Sequence, residues 1–144
     1  MLDLVSLVGV LAMVGGAVGL YATGNLFSTS PLVITVQAAA AALMIWARVT
    51  FGFRSFHAAA NPTEGGLVTS GPYRFIRHPI YTAVCLFVWA GALAHLSYVS
   101  AALAVLALIG SLARMLAEEH MLVVRYPEYR EYAAKTKRML PHVF

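Results

Sequence analysis

Residues 65–81 read GGLVTSGPYRFIRHPIY, a polar island between two very apolar halves of the chain. Turn formers, cations and aromatic rings crowd it: Tyr73, Arg74, Arg77, His78 and Tyr81, with Pro79 opening the next apolar run. Polar chemistry at the mouth of an apolar segment is where a membrane protein usually keeps its function. The composition outward from this stretch sets the class. Of 144 residues, 60% are hydrophobic and only 11% are charged, and the mean hydropathy is +0.77. Soluble domains carry about 25% charged residues, so the chain reads as one integral membrane domain, residues 1–144. A net charge of +4, scattered along the chain, gives no footprint for nucleic acid. The single cysteine, Cys85, sits inside an apolar run and reads as a packing residue.

Four apolar runs have the length of helical spans: residues 4–22, 31–50, 79–94 and 98–117. The first lacks a basic start and a small-residue cleavage site, so it reads as a retained span. Its Gly9, Gly15, Gly16 and Gly19, like the alanines at 38–42, suit close helix contacts in lipid. Pro31 fits the first turn of the second span with Ser30 as its cap, and Ser97 or Ser100 can cap the fourth. Asn61-Pro62 marks a turn in the loop at 51–78, and residues 118–144 form a charged, aromatic tail. Arg48, Arg54, Arg74 and Arg77 lie at or beyond the end of span two, and Arg114, Arg125, Arg130, Lys135, Lys137 and Arg138 at or beyond the end of span four. The other two connections carry no Lys or Arg, so the positive-inside rule puts the 51–78 loop and both termini in the cytoplasm.

This topology has a spatial consequence. Spans three and four form an antiparallel hairpin, each arm about 17 residues or roughly 25 Å long. Tyr81 leaves the cytoplasmic surface and Glu118 returns to it, so two stretches distant in sequence meet at one depth. Arg114 and Glu118, spaced i and i+4, share a helix face and read either as a boundary ion pair or as part of a site for a cationic ligand group. With span four ending near residue 117, Glu118 and Glu119 would sit at a helix C-terminus, where the macrodipole disfavours anions and a cation is needed. His78, before a proline, is biased out of the helix and placed at the start of span three. It reads as a capping residue or, with Arg77, Tyr73 and Tyr81 nearby, as part of a ligand site. No His or Cys pair has metal-ligand spacing, so no metal is expected. Tyr126, Tyr129 and Tyr132 with Arg130, Lys135, Lys137 and Arg138 make an amphipathic basic tail, an interfacial helix held by membrane lipids or a lid over a site.

LVTSGPYRFIRHPIY, followed by RMLAEEH and YPEYREY, resembles the isoprenylcysteine carboxyl methyltransferase family, related to the phospholipid methyltransferases. The likeness covers residues 65–141. It implies an all-α integral membrane protein with four transmembrane helices, a cytoplasmic-side cofactor pocket and an interfacial C-terminal helix. It also implies S-adenosyl-L-methionine as cofactor and a lipidic or prenylated substrate. Residue by residue, the family's cofactor contacts fall on Leu67, Val68, Tyr73, His78, Pro79, Ile80, Tyr81 and Glu118, with backbone around Gly65 and Gly66. The family's substrate-carboxylate arginine falls on Arg114, the expected catalytic residue. Gly65 stands where eukaryotic members have a cofactor-contacting His, Ala83 where a Gly is common, and Tyr126-Pro127 where Phe-Gly is common. The N-terminal region is also shorter. A phospholipid, thiol or amine acceptor, a nicotinamide-dependent membrane reductase and a non-enzymatic scaffold are the rival readings.

Overall fold

The computed structural model describes residues 1–52, 66–141 and 144. Gly65, the Asn61-Pro62 turn and Arg54 lie outside the described residues. Among the described residues five α-helices run in order: α1 (Leu2–Ala22), α2 (Pro31–Phe51), α3 (Pro79–Ala94), α4 (Tyr98–Arg125) and α5 (Tyr129–Lys135). A 3-10 turn at Gly71–Arg74 precedes α3. Among the described residues there is no strand, only an isolated parallel bridge between Ile76 and Lys137.

Three of these helices, α1, α2 and α4, are long and apolar enough to cross a membrane. α3 is equally apolar but has 16 residues, about 24 Å of rise. Their outward faces carry Leu4, Leu11 and Val18 on α1 and Leu32, Ile45 and Val49 on α2, all exposed on the isolated chain. Acyl chains cover such a surface where water would not, and the molecule is an all-α integral membrane protein.

The bundle is built from close approaches. α1 makes its main contact along α4, α2 along α3, and α3 against α4. At the α1–α4 crossing a Cβ on Gly9 would lie 2.8 Å from the Gly110 carbonyl oxygen, and one on Gly16 would lie 2.5 Å from that of Leu103. Only hydrogen fits at those two points. Gly15 faces open space, so the expected packing face does not include it. Of the alanine run, Ala40 is buried. Ser97 and Ser100 form a reciprocal capping box at the start of α4. Ser30 occupies the N-cap of α2 with Pro31 behind it, but its side chain makes no capping bond.

One expectation is corrected. α4 does not stop where the apolar run stops; it continues to Arg125 and ends where Pro127 forces Tyr126 into extended backbone (φ −120°, ψ 107°). Glu118 and Glu119 therefore sit within the helix, and the macrodipole gives no reason for their compensating cations. Their burial does.

Candidate functional site

The site assembles where the 66–78 stretch, the start of α3, the middle of α4 and the tail converge. Gly71 sets the entry: its φ is +56°, and a Cβ there would lie 2.5 Å from Thr50 Oγ1 at the end of α2. Tyr73 follows, 5% exposed, its ring 5.5 Å from that of Phe51. His78 is the N-cap of α3, at φ −126° and ψ 57°, with Pro79 at the first helical positions. That geometry turns the buried His78 ring inward beside Tyr81, centroid to centroid 5.7 Å.

From the first turn of α3, the Tyr81 hydroxyl donates to Glu118 Oε1 at 2.7 Å and accepts from Arg114 Nε at 2.6 Å. Arg114 Nε also lies 3.3 Å from the same Glu118 oxygen. Arg114 is 8% exposed, and its Nη1 reaches Ser6 Oγ of α1 at 3.4 Å. Three helices thus hold one guanidinium. His78 Nδ1 stands 3.9 Å from Glu118 Oε2.

Glu119 points elsewhere. Its Oε1 accepts from Arg77 Nε at 2.8 Å and lies 3.2 Å from His78 Nε2 and 3.4 Å from the Tyr129 hydroxyl. Its Oε2 accepts from Arg138 Nε at 2.9 Å. His78 therefore stands between two carboxylates. Among the described residues, Arg77, Arg114 and Arg138 are the arginines that face Glu118 and Glu119.

The tail folds onto this cluster. Arg77 N–H donates to the Lys137 carbonyl at 2.7 Å, and His78 N–H to that of Arg138 at 2.9 Å. Thr82 Oγ1 donates to the Met139 carbonyl at 2.9 Å, and the Tyr132 hydroxyl to that of Tyr73 at 2.5 Å. Arg77 Nη1 bonds the carbonyls of Ala133 and Thr136. Burial pushes the Tyr132 phenol up to about 12. Tyr73 and Tyr129 are raised further by burial, then by the charges of Glu118 and Glu119 respectively. All three phenols remain donors at neutral pH.

Beside the cluster, a cavity of about 750 Å³ opens between α2, α3 and α4. Leu32, Val36, Leu86, Trp89, Leu108 and Leu112 line it, and Thr82 and Met139 stand at its charged end. Met139 of this lining packs with Tyr81 and Met115, which connects the apolar groove to the cluster through one side chain.

Of the residues expected at the site, Tyr73, His78, Pro79, Tyr81, Arg114 and Glu118 come together around this point. Leu67 and Val68 are half-buried on the approach, Gly66 is exposed with φ +81°, and Ile80 is half-buried. Glu119, Arg138, Tyr129 and Ser6 were not among the expected site residues. Glu119 adjoins Glu118 in sequence, a signal of sorts; nothing in the sequence pairs Arg138 or Ser6 with the site.

A family model described as phospholipid methyltransferase matches residues 30–129, which include α2, α3, α4 and every expected site residue. The chain belongs to the phospholipid methyltransferase family. The match leaves out α1 and the tail beyond Tyr129, the segments that carry Ser6, Tyr132 and Arg138. Among curated proteins, the chain is 38% identical over 80 residues to the nickel-cobalt-cadmium resistance protein NccN of Alcaligenes xylosoxydans xylosoxydans, covering 54% of this chain and 37% of that one. It is 39% identical over 80 residues to the cobalt-zinc-cadmium resistance protein CzcN of Cupriavidus metallidurans, covering 54% and 36%. The chain thus spans little more than a third of the length of these relatives. No solved structure matches it.

The donor set fits the cofactor that the resemblance implies. Glu118 has a side chain one quarter exposed, a carboxylate able to receive an ammonium group at the mouth of a buried cluster. His78 and Tyr81 present rings beside it.

Proposed function

We propose that this protein is a membrane methyltransferase that uses S-adenosyl-L-methionine and methylates a carboxylate on a lipidic substrate. The observation that carries this reading is the joined trio of Tyr81, Glu118 and Arg114, with Tyr81 packed against Met139 of the apolar groove's lining. Bound at this site, the cofactor would supply a methyl group already activated on a sulfonium.

The protein's task is then placement. Glu118 would hold the cofactor's ammonium, and the backbone from Gly66 to Tyr73 with His78, Pro79, Ile80 and Tyr81 would cradle the remainder. Arg114 orients the acceptor carboxylate, for which a planar guanidinium is suited. A carboxylate is already a nucleophile and gives up no proton, so no general base is required. That agrees with a His78 whose Nε2 is engaged by Glu119. The acyl or isoprenoid part of the substrate lies in the groove, within the volume usual for ligand pockets. The Arg- and Lys-rich end faces the cytoplasm of a bacterial inner membrane.

The test is methyl incorporation. Membranes containing the protein, incubated with methyl-labelled S-adenosyl-L-methionine, should yield labelled lipid whose methyl is released by mild base, as an ester is. Base-stable label would place the methyl on nitrogen and contradict the carboxylate assignment. No label in any lipid would contradict the lipidic substrate.

A further inference from the structure

The two adjacent glutamates face different partners. Glu118 looks towards Tyr81 and Arg114; Glu119, 12% exposed in its side chain, is held among Arg77, His78, Arg138 and Tyr129. These four partners come from the run into α3, from α5 and from the segment after α5. We propose that Glu119 is a positioning residue: with Arg138 it latches the tail as a strap over the pocket, and the strap sets the cofactor-binding geometry of His78 and Tyr81. This rests on the methyltransferase reading above.

The geometry gives the strap two holds on those residues. The Arg138 carbonyl accepts from His78 N–H, while Glu119 faces the His78 ring at Nε2, so backbone and ring are both held. One residue on, Met139 is 7% exposed and packs against Tyr81 and Met115, while its carbonyl accepts from Thr82 Oγ1. A buried carboxylate needs cations and donors from every side, and a missing one leaves charge uncompensated. Glu119 therefore does not tolerate the strap swinging away unless Arg138 is replaced at its side. The latch is asymmetric: Arg77 and His78 are nearly buried, but the Arg138 side chain is 36% exposed. Arg138 is the contact that can open.

The cofactor then senses the strap through two residues that do not belong to it. Loosening Arg138 frees the His78 backbone and the Tyr81 packing together, and the expected cost to cofactor affinity is about tenfold, the equivalent of one charge-assisted hydrogen bond. Loss of the cofactor by opening, and its retention by closure, follow from the same coupling.

The experiment is calorimetric titration of the full chain in detergent with S-adenosylhomocysteine. Wild type should bind, Arg138→Ala should bind about tenfold more weakly, and Arg138→Lys should recover most of the loss. Lys135→Ala, at an exposed lysine paired with Glu131, should bind as wild type does. Wild-type affinity in Arg138→Ala overturns the latch and leaves the methyltransferase reading standing; no binding by wild type counts against that reading itself. A second measurement does not depend on a variant that folds. Trypsin cleavage of wild type after Lys135 and Lys137 should slow when S-adenosylhomocysteine saturates the site. Unchanged cleavage at saturation would overturn the strap.

Discussion

The two ends of the bundle are closed by different chemistry. At the end formed by the α1–α2 and α3–α4 connections, neutral groups bond backbone carbonyls: Gln37 Nε2 donates to Leu26 at 2.8 Å and Phe87 at 3.2 Å, and His95 Nε2 lies 2.7 Å from the Phe27 carbonyl. Tyr21, Phe27 and Phe87 stack edge to face across it, and Gly91 lets the Leu26 carbonyl approach its α-carbon. At the other end the bonds run between ionised side chains, and Arg114, Arg77 and Glu119 are all nearly buried. Neutral bonds are enough to close a bundle. Burying ions at a membrane boundary is expensive unless they are paired, and it gives little net stability. The difference is the one that the proposed function requires, with a structural neutral end and the site at the ionic end.

That contrast can be broken in order of expected effect. Arg114→Ala should lower methyl incorporation at least about 100-fold at equal folded protein, because it removes the proposed carboxylate partner and unpairs Glu118. Initial rates with labelled cofactor measure it. Gly91→Ala at the neutral end should behave oppositely. Its new Cβ would sit 2.0 Å from the Leu26 carbonyl oxygen, so the thermal midpoint should fall, by an overpacking cost of about 1–3 kcal/mol. Affinity for S-adenosylhomocysteine per folded molecule should stay at the wild-type value. A Gly91 variant that folds normally yet loses cofactor would erase the division between the ends.

Smaller effects sharpen it. Ser6→Ala removes a weak hydroxyl contact to Arg114, and the acceptor KM should rise about threefold to tenfold with kcat nearly unchanged, the scale of a single hydrogen bond. An equal fall in kcat would assign Ser6 a different role. The smallest is a pH effect on the tail. Burial raises the Tyr132 phenol from 10.0 to about 12 in the folded chain. A raised acid favours the folded state while it is protonated, so this contribution is complete below pH 10 and disappears as pH climbs towards 12. The difference in tyrosinate absorbance between wild type and Tyr132→Phe should show a midpoint well above that of a free phenol. A midpoint at 10.0 would mean that the docked tail leaves Tyr132 in water.

Much of this was legible in the sequence. Hydropathy and Lys/Arg placement were enough to lay out four apolar helices, and the α3–α4 hairpin alone brought Tyr81 to Glu118, now seen at 2.7 Å. Pro127 held the correct end of α4, but the apolar run stopped sooner and drew the boundary to residue 117. The tail was harder because its docking rests on backbone carbonyls at Lys137, Arg138 and Met139, which any residue type could offer. Ser6 was invisible for a related reason: hydropathy identifies α1 as a span without saying which of its faces meets α4. The glycines hinted at that crossing, and Gly9, one turn from Ser6, is where α1 comes against the Arg114 backbone.

The central claim is that Glu118 is the carboxylate that holds the cofactor at the ionic end. Calorimetric titration with S-adenosylhomocysteine, comparing wild type with Glu118→Ala at matched folded concentration, tests it most directly. Binding by wild type and a loss of about 100-fold in the variant is the expected result, in line with the removal of a charge pair. Equal affinity in the two proteins, or no binding by wild type, would contradict it.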